Sequence, residues 1–76
     1  MEPETEQILD NIRKKRLEKG ISVLNLSLDA GIAHSHLYYI ESKRVAPSID
    51  VLVRIAKALN IQVIELVDKQ GKYGKK

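Results

Sequence analysis

Residues 22–42 read Ser22-Val23-Leu24-Asn25-Leu26-Ser27-Leu28-Asp29-Ala30-Gly31-Ile32-Ala33-His34-Ser35-His36-Leu37-Tyr38-Tyr39-Ile40-Glu41-Ser42. A serine hydroxyl accepts from free amides at a helix start, and Ser22 is placed to accept from the amide of Asn25. Asn25 is not the Glu or Gln that completes a capping box. The helix so begun runs to Ala30 and stops at Gly31, the residue that turns left-handed at little steric cost. A second helix follows from about His34 to Ser42, with Leu37 and Ile40 facing inward at helical spacing.

Similar punctuation organises the flanks. Upstream, a helix is predicted from about Thr5 to Lys19, with Thr5 as N-cap, Glu6 in the first turn and Gly20 as its end. Ile8, Leu9, Ile12 and Leu17 are read as its apolar stripe, with Arg16 on the side of Ile12. Downstream, Lys43 to Ala46 form a loop, Pro47 forbids helix, and Ser48 caps a fourth helix from Ile49 to Leu59. Its apolar positions Ile49, Leu52, Ile55, Ala56 and Leu59 follow the helical period closely. Asn60 takes the left-handed closing position, and a fifth helix runs from about Val63 to Lys69 with Val63 and Leu66 turned to the core. The expectation is a compact five-helix, all-α domain over residues 1–67, with an acidic lead-in at 1–5 and a flexible basic tail at 68–76.

Composition bounds the chemistry. The 76 residues suit one domain and contain no cysteine, which excludes disulfides and thiolate metal sites. Trp and Phe are absent, so the core must be aliphatic. No apolar run approaches the roughly 18 residues of a membrane span, and the acidic N-terminus is unlike a secretory signal. The formal charge is +3. Its distribution is uneven: Glu2, Glu4, Glu6 and Asp10 come first, Arg13-Lys14-Lys15-Arg16 is the densest basic run, and Lys69, Lys72, Lys75 and Lys76 come last. A basic balance permits a polyanionic partner without requiring one. His34 and His36 lie two apart, pointing about 200° away from each other on a helix, so they cannot chelate one ion. No nucleophile context, phosphate loop or framed carboxylate pair is present, so neither an enzyme nor a bound metal or cofactor is expected.

Two short helices joined by Gly31-Ile32-Ala33 have the geometry of a helix-turn-helix, whose second helix projects its N-terminal residues into the DNA major groove. An ordered set of residues strengthens that reading. It comprises Ile12-Arg13, Arg16, Glu18-Lys19-Gly20-Ile21-Ser22, Leu26, Ala30-Gly31-Ile32, Leu37 and Ile40-Glu41. It continues through Pro47-Ser48 and Ile55-Ala56-Lys57-Ala58-Leu59-Asn60-Ile61 to Glu65-Leu66. In this order and spacing the chain resembles the lambda-repressor-like, Cro-type helix-turn-helix family, over about residues 8–67.

The resemblance implies a cytoplasmic regulator, usually a dimer on a palindromic double-stranded DNA operator. It implies a partly buried ion pair between Arg16 and Glu41, joining the first and third helices. It places His34, Ser35, Tyr38 and Tyr39 toward the bases, with His36 near the edge. Ser22, His36, Lys43 and Arg44 are the expected phosphate contacts. The tyrosines also have a plainer reading, as packing on a core short of aromatics. Ile64 and Val67 are expected at a homodimer seam, or else as ordinary cover for a small core. Leu24 and Leu28, four apart on one face, are either scattered surface residues or a contact for a second protein.

Departures from the family pattern carry expectations of their own. Val23 stands where the family usually has Gln, and Ala33 where it has a Ser or Thr cap. Lys43 replaces a frequent glycine. His34, Ser35 and Tyr39 replace the Gln, Asn and Arg side chains that make bidentate base contacts. Direct base readout is therefore expected to be thin, with affinity drawn from phosphates and specificity helped by DNA shape. A protein-interaction module that keeps the fold without reading an operator is the alternative function.

Overall fold

The computed structural model describes residues 1–67, which form five helices in chain order. They are α1 (Pro3–Glu18), α2 (Val23–Ala30), α3 (His34–Glu41), α4 (Ile49–Ala58) and α5 (Val63–Val67). The basic tail expected at 68–76, and the last turn assigned to the fifth helix, lie outside the described residues. All-α architecture with five helices is what the punctuation predicted.

Local chemistry sets the boundaries. Ser22 Oγ accepts from the Asn25 amide at 3.0 Å, and Ser48 Oγ accepts from the Val51 amide at 3.1 Å. The expected cap at Thr5 is wrong, because α1 begins earlier, with Pro3 in its first turn and no side-chain cap at Glu2. Proline at the first helical position loses only an amide that has no intrahelical partner, so the helix extends back to it.

Helices α1 to α4 all end in one device. A left-handed residue follows each: Gly20 (φ 68°), Gly31 (φ 71°), Lys43 (φ 67°) and Asn60 (φ 59°). The next amide reaches back five residues in every case, as Ile21 to Arg16, Ile32 to Ser27, Arg44 to Tyr39 and Ile61 to Ala56. These are Schellman closures, which satisfy the orphan carbonyls of a last turn. Lys43, where glycine is the ready choice for such a turn, is one of the four. It adopts the left-handed turn, at a cost of roughly 1–2 kcal/mol for a residue with a Cβ.

The hydrophobic core is aliphatic, with Ser27 the fully buried polar residue beside it among those described. Leu9, Ile12, Leu26, Ala30, Leu37, Ile40, Ile55, Ala56, Leu59 and Leu66 are buried, at least one from each helix. Truncating one of the large ones to Ala costs about 2–5 kcal/mol. α2 packs on α3 and α4, α1 on α3 and α5, and α4 on α5.

Three expected core residues are instead exposed. Leu17 is 55% exposed, because it lies about 105° around α1 from the centre of the Leu9–Ile12–Arg16 stripe. Ile49 is 80% exposed although its period is right: it is the first residue of α4, where its inward direction is left uncovered. Val63, at the start of α5, is also exposed, leaving Leu66 as that helix's buried residue.

A five-residue helix is too short to stand alone in water. α5 is held by the burial of Leu66 and by α1. Asn11 Nδ2 donates to the Leu66 carbonyl at 2.7 Å, and Gln7 Nε2 donates to Asn11 Oδ1 at 3.1 Å, which orients that amide. Lys15 Nζ lies 3.7 Å from Glu65, whose other carboxylate oxygen accepts from the Gln62 amide at 3.0 Å.

Candidate nucleic-acid interface

The third helix is anchored from behind and open in front. Leu37 and Ile40 are fully buried, while His34, Ser35, Tyr38 and Tyr39 are exposed. At about 100° per residue, Ser35 points almost opposite to the Leu37–Ile40 side, with Tyr38 and Tyr39 about 50° to either side of that direction. His34 stands at the helix start. His36 falls on the flank and is half-buried, consistent with the edge position expected of it. Neither tyrosine belongs to the buried core.

The far end of α3 is tied to α1 by the expected ion pair. Arg16 Nε donates to Glu41 Oε2 at 2.7 Å and Nη2 to Oε1 at 2.9 Å, a two-pronged contact. Arg16 Nη1 also donates to the Ile21 carbonyl at 2.8 Å, so one guanidinium joins α1, the α1–α2 turn and α3. The two side chains are 10% and 6% exposed, which makes the pair a buried strut and leaves Arg16 little surface to offer DNA.

The α2–α3 turn is tight. A Cβ on Gly31 would meet Arg54 Nη1 at 3.3 Å, and the left-handed backbone already favours glycine. Ala33, the residue before α3, makes no side-chain cap, as its methyl requires.

The expected phosphate contacts have distinct surroundings. Ser22 is exposed at the start of α2 and its hydroxyl, while accepting from Asn25, still has its proton to donate. Arg44 lies with its guanidinium carbon 5.6 Å from the Tyr39 ring centre. That contact occupies the place where the other helix ends set an isoleucine, namely Ile21, Ile32 and Ile61. A cation over a ring replaces the usual apolar contact of the closure. The Tyr38 ring meets Tyr39 edge-on at 5.9 Å, so Tyr38, Tyr39 and Arg44 form one exposed aromatic and cationic ridge. Lys43 Nζ is 3.0 Å from Asp10 Oδ1 on α1, a partner that sequence spacing had no means to signal.

Elsewhere on the surface, Ile64 and Val67 are partly exposed on α5, and Val67 borders a groove of about 220 Å³ with Pro3, Glu4, Gln7 and Ile8. Leu24 and Leu28 project from the side of α2 opposite Leu26, with Leu28 67% exposed. Among the described residues no cluster of metal-ligating side chains occurs, and no helix is long and apolar enough to cross a membrane.

Several solved structures have a similar fold. The restriction-modification controller protein C.AhdI from Aeromonas hydrophila is 27% identical, with a TM-score of 0.76 over 79% of this chain and 91% of its own. The wild-type restriction-modification controller protein C.Esp1396I is 23% identical, with a TM-score of 0.83 over 92% of this chain and 94% of its own. A chain of the SinR protein–SinI protein complex is 34% identical, with a TM-score of 0.77 over 87% of this chain and 65% of that one. No curated protein matches. A helix-turn-helix family model matches residues 12–66. With the anchored third helix, its exposed outer face and that match, the chain belongs to the lambda-repressor-like, Cro/C1-type helix-turn-helix family of DNA-binding transcription regulators.

Proposed function

We propose that this regulator is a homodimeric repressor that reads a palindromic operator through the major groove with α3. The observation that carries the reading is the outer face of α3: Ser35, Tyr38 and Tyr39 stand free, with His34 leading, on a helix fixed from behind by Leu37, Ile40 and the Arg16–Glu41 strut. Those four residues approach the bases. Ser22, His36, Lys43 and Arg44 hold phosphates on either side. None of the base-facing side chains is the Arg, Asn or Gln that reads a base bidentately, so phosphate contacts and DNA shape supply most of the affinity. Residues 1–67 act as the DNA-binding domain, in the cytoplasm. Regulation is also the role named for the controller proteins of similar fold.

The second copy packs on Ile64 and Val67. A twofold dimer then sets its two recognition helices about 34 Å, or roughly 10 bp, apart. Selection of bound duplexes from a random pool, with light scattering on the same protein, tests both parts. Two inverted half-sites at that spacing and a dimer mass are expected. A monomeric mass for the native protein refutes the dimer, a dimeric mass that Ile64→Asp and Val67→Asp leave unaltered refutes the seam, and a pool with no enrichment refutes operator reading.

A second reading is favoured by one observation, the exposure of Leu24 and Leu28 on the outer side of α2. Under it the chain binds another protein there and no longer reads an operator; a chain of similar fold occurs in a two-protein complex. Salt-sensitive shifting of random duplex at low ionic strength supports the first reading. Absence of any shift supports the second.

A further inference from the structure

Lys43 occupies an unusual position: it is the left-handed residue that closes the recognition helix, and its ammonium rests on a carboxylate of α1. The turn fixes its backbone through two hydrogen bonds, from the Lys43 amide to Ile40 at 3.0 Å and from the Arg44 amide to Tyr39 at 2.9 Å. Asp10 has Arg13 and Lys14 at the i+3 and i+4 positions of its own helix, the partners that helical geometry offers most readily. Its bridge among the described residues goes instead across to Lys43, at 3.0 Å. Asp10, Arg13, Lys14, Leu17 and Glu18 line one open groove, so the pair stands at the edge of an accessible α1 face.

We propose that Asp10 governs the strength of DNA binding by competing with phosphate for Lys43. The inference rests on the DNA-binding reading above and adds a residue to it. A lysine that meets DNA with no partner adds a full phosphate contact and releases a counterion. Lys43 must first give up, or share, its carboxylate. The freed Asp10 then stands beside a polyanion and takes up a cation, which offsets part of that release. α1 thereby keeps the recognition edge partly discharged, which weakens loose, sequence-independent association.

The test is a double-mutant cycle on random-sequence duplex, followed by fluorescence anisotropy over a series of salt concentrations. Asp10→Asn in the otherwise native chain is expected to raise affinity about 1.4- to five-fold, the range of an exposed ion pair. It is also expected to steepen the plot of log affinity against log salt by up to about 0.9. In a Lys43→Met background the same Asp10→Asn change is expected to have little effect. Equal effects in both backgrounds overturn the inference, because Asp10 then acts only as a diffuse negative charge. Weaker binding by Asp10→Asn overturns it in the opposite sense, with Asp10 presenting Lys43 to DNA. If the native chain binds no duplex, the DNA-binding reading falls and this inference with it. Helical circular dichroism of all four proteins establishes that they are folded.

Discussion

Removing the Glu41 carboxylate is the sharpest perturbation of the scaffold. In Glu41→Ala the Arg16 guanidinium loses both short contacts, at 2.7 and 2.9 Å, and keeps only its bond to the Ile21 carbonyl at 2.8 Å. Breaking one side of a buried pair typically costs about 3–5 kcal/mol, because a charge is left poorly solvated. The remaining carbonyl bond and the slight exposure of Arg16 argue for the lower end, about 3 kcal/mol. A 76-residue domain has a total stability on the order of 4–11 kcal/mol, so the loss is a large share of it. Urea unfolding followed by circular dichroism measures it, and the melting point is expected to fall by about 12–24 °C. The control is Arg16→Met with Glu41→Leu, which removes both charges and fills their space. It is expected to recover to within about 1–2 kcal/mol of the native chain, the residue being the Ile21 carbonyl left without its donor. A loss below about 1 kcal/mol in Glu41→Ala, or a double variant no better than the single one, refutes the strut.

Three smaller perturbations test neighbouring parts of the site. Ala33→Ser introduces the cap that α3 lacks and is expected to stabilise the domain by about 1 kcal/mol in urea titration; no gain means the hydroxyl cannot reach the free amides. Gly31→Ala is expected to cost about 1–2 kcal/mol through its left-handed backbone, and the cost should persist when Arg54 is also Ala, since the 3.3 Å contact is only with the end of a flexible side chain. Arg44→Ala is expected to weaken binding to all duplexes alike and to reduce the salt slope by about 0.9. Tyr39→Ala should reproduce part of that affinity loss, because the ring holds Arg44; an unchanged slope in Arg44→Ala removes it from the phosphate contacts.

Much of this molecule is written in short-range chemistry. Ser22 and Ser48 each act on an amide three residues away, and Gly20, Gly31 and Asn60 close helices through bonds spanning five residues, so a linear reading finds them. The stripes of Leu37 and Ile40, or of Leu52, Ile55, Ala56 and Leu59, follow from helical period and mark the inner faces. The meeting of Arg16 and Glu41, 25 residues apart, is instead what the family resemblance implies.

What stayed hidden depends on where separate helices come to rest. Periodicity assigns a face but not whether a neighbour covers it, which is why Ile49 has the period of a buried residue and lies outside. The bridges from Asp10 to Lys43 and from Asn11 to Leu66 join groups remote in sequence, and no local pattern specifies them. Lys43 is the clearest case: its type argues against a left-handed turn, yet it closes α3 there and its ammonium meets a carboxylate on α1. Local bonding energies select the helices; the packing of aliphatic faces selects their mutual arrangement, and only that arrangement decides which charges meet.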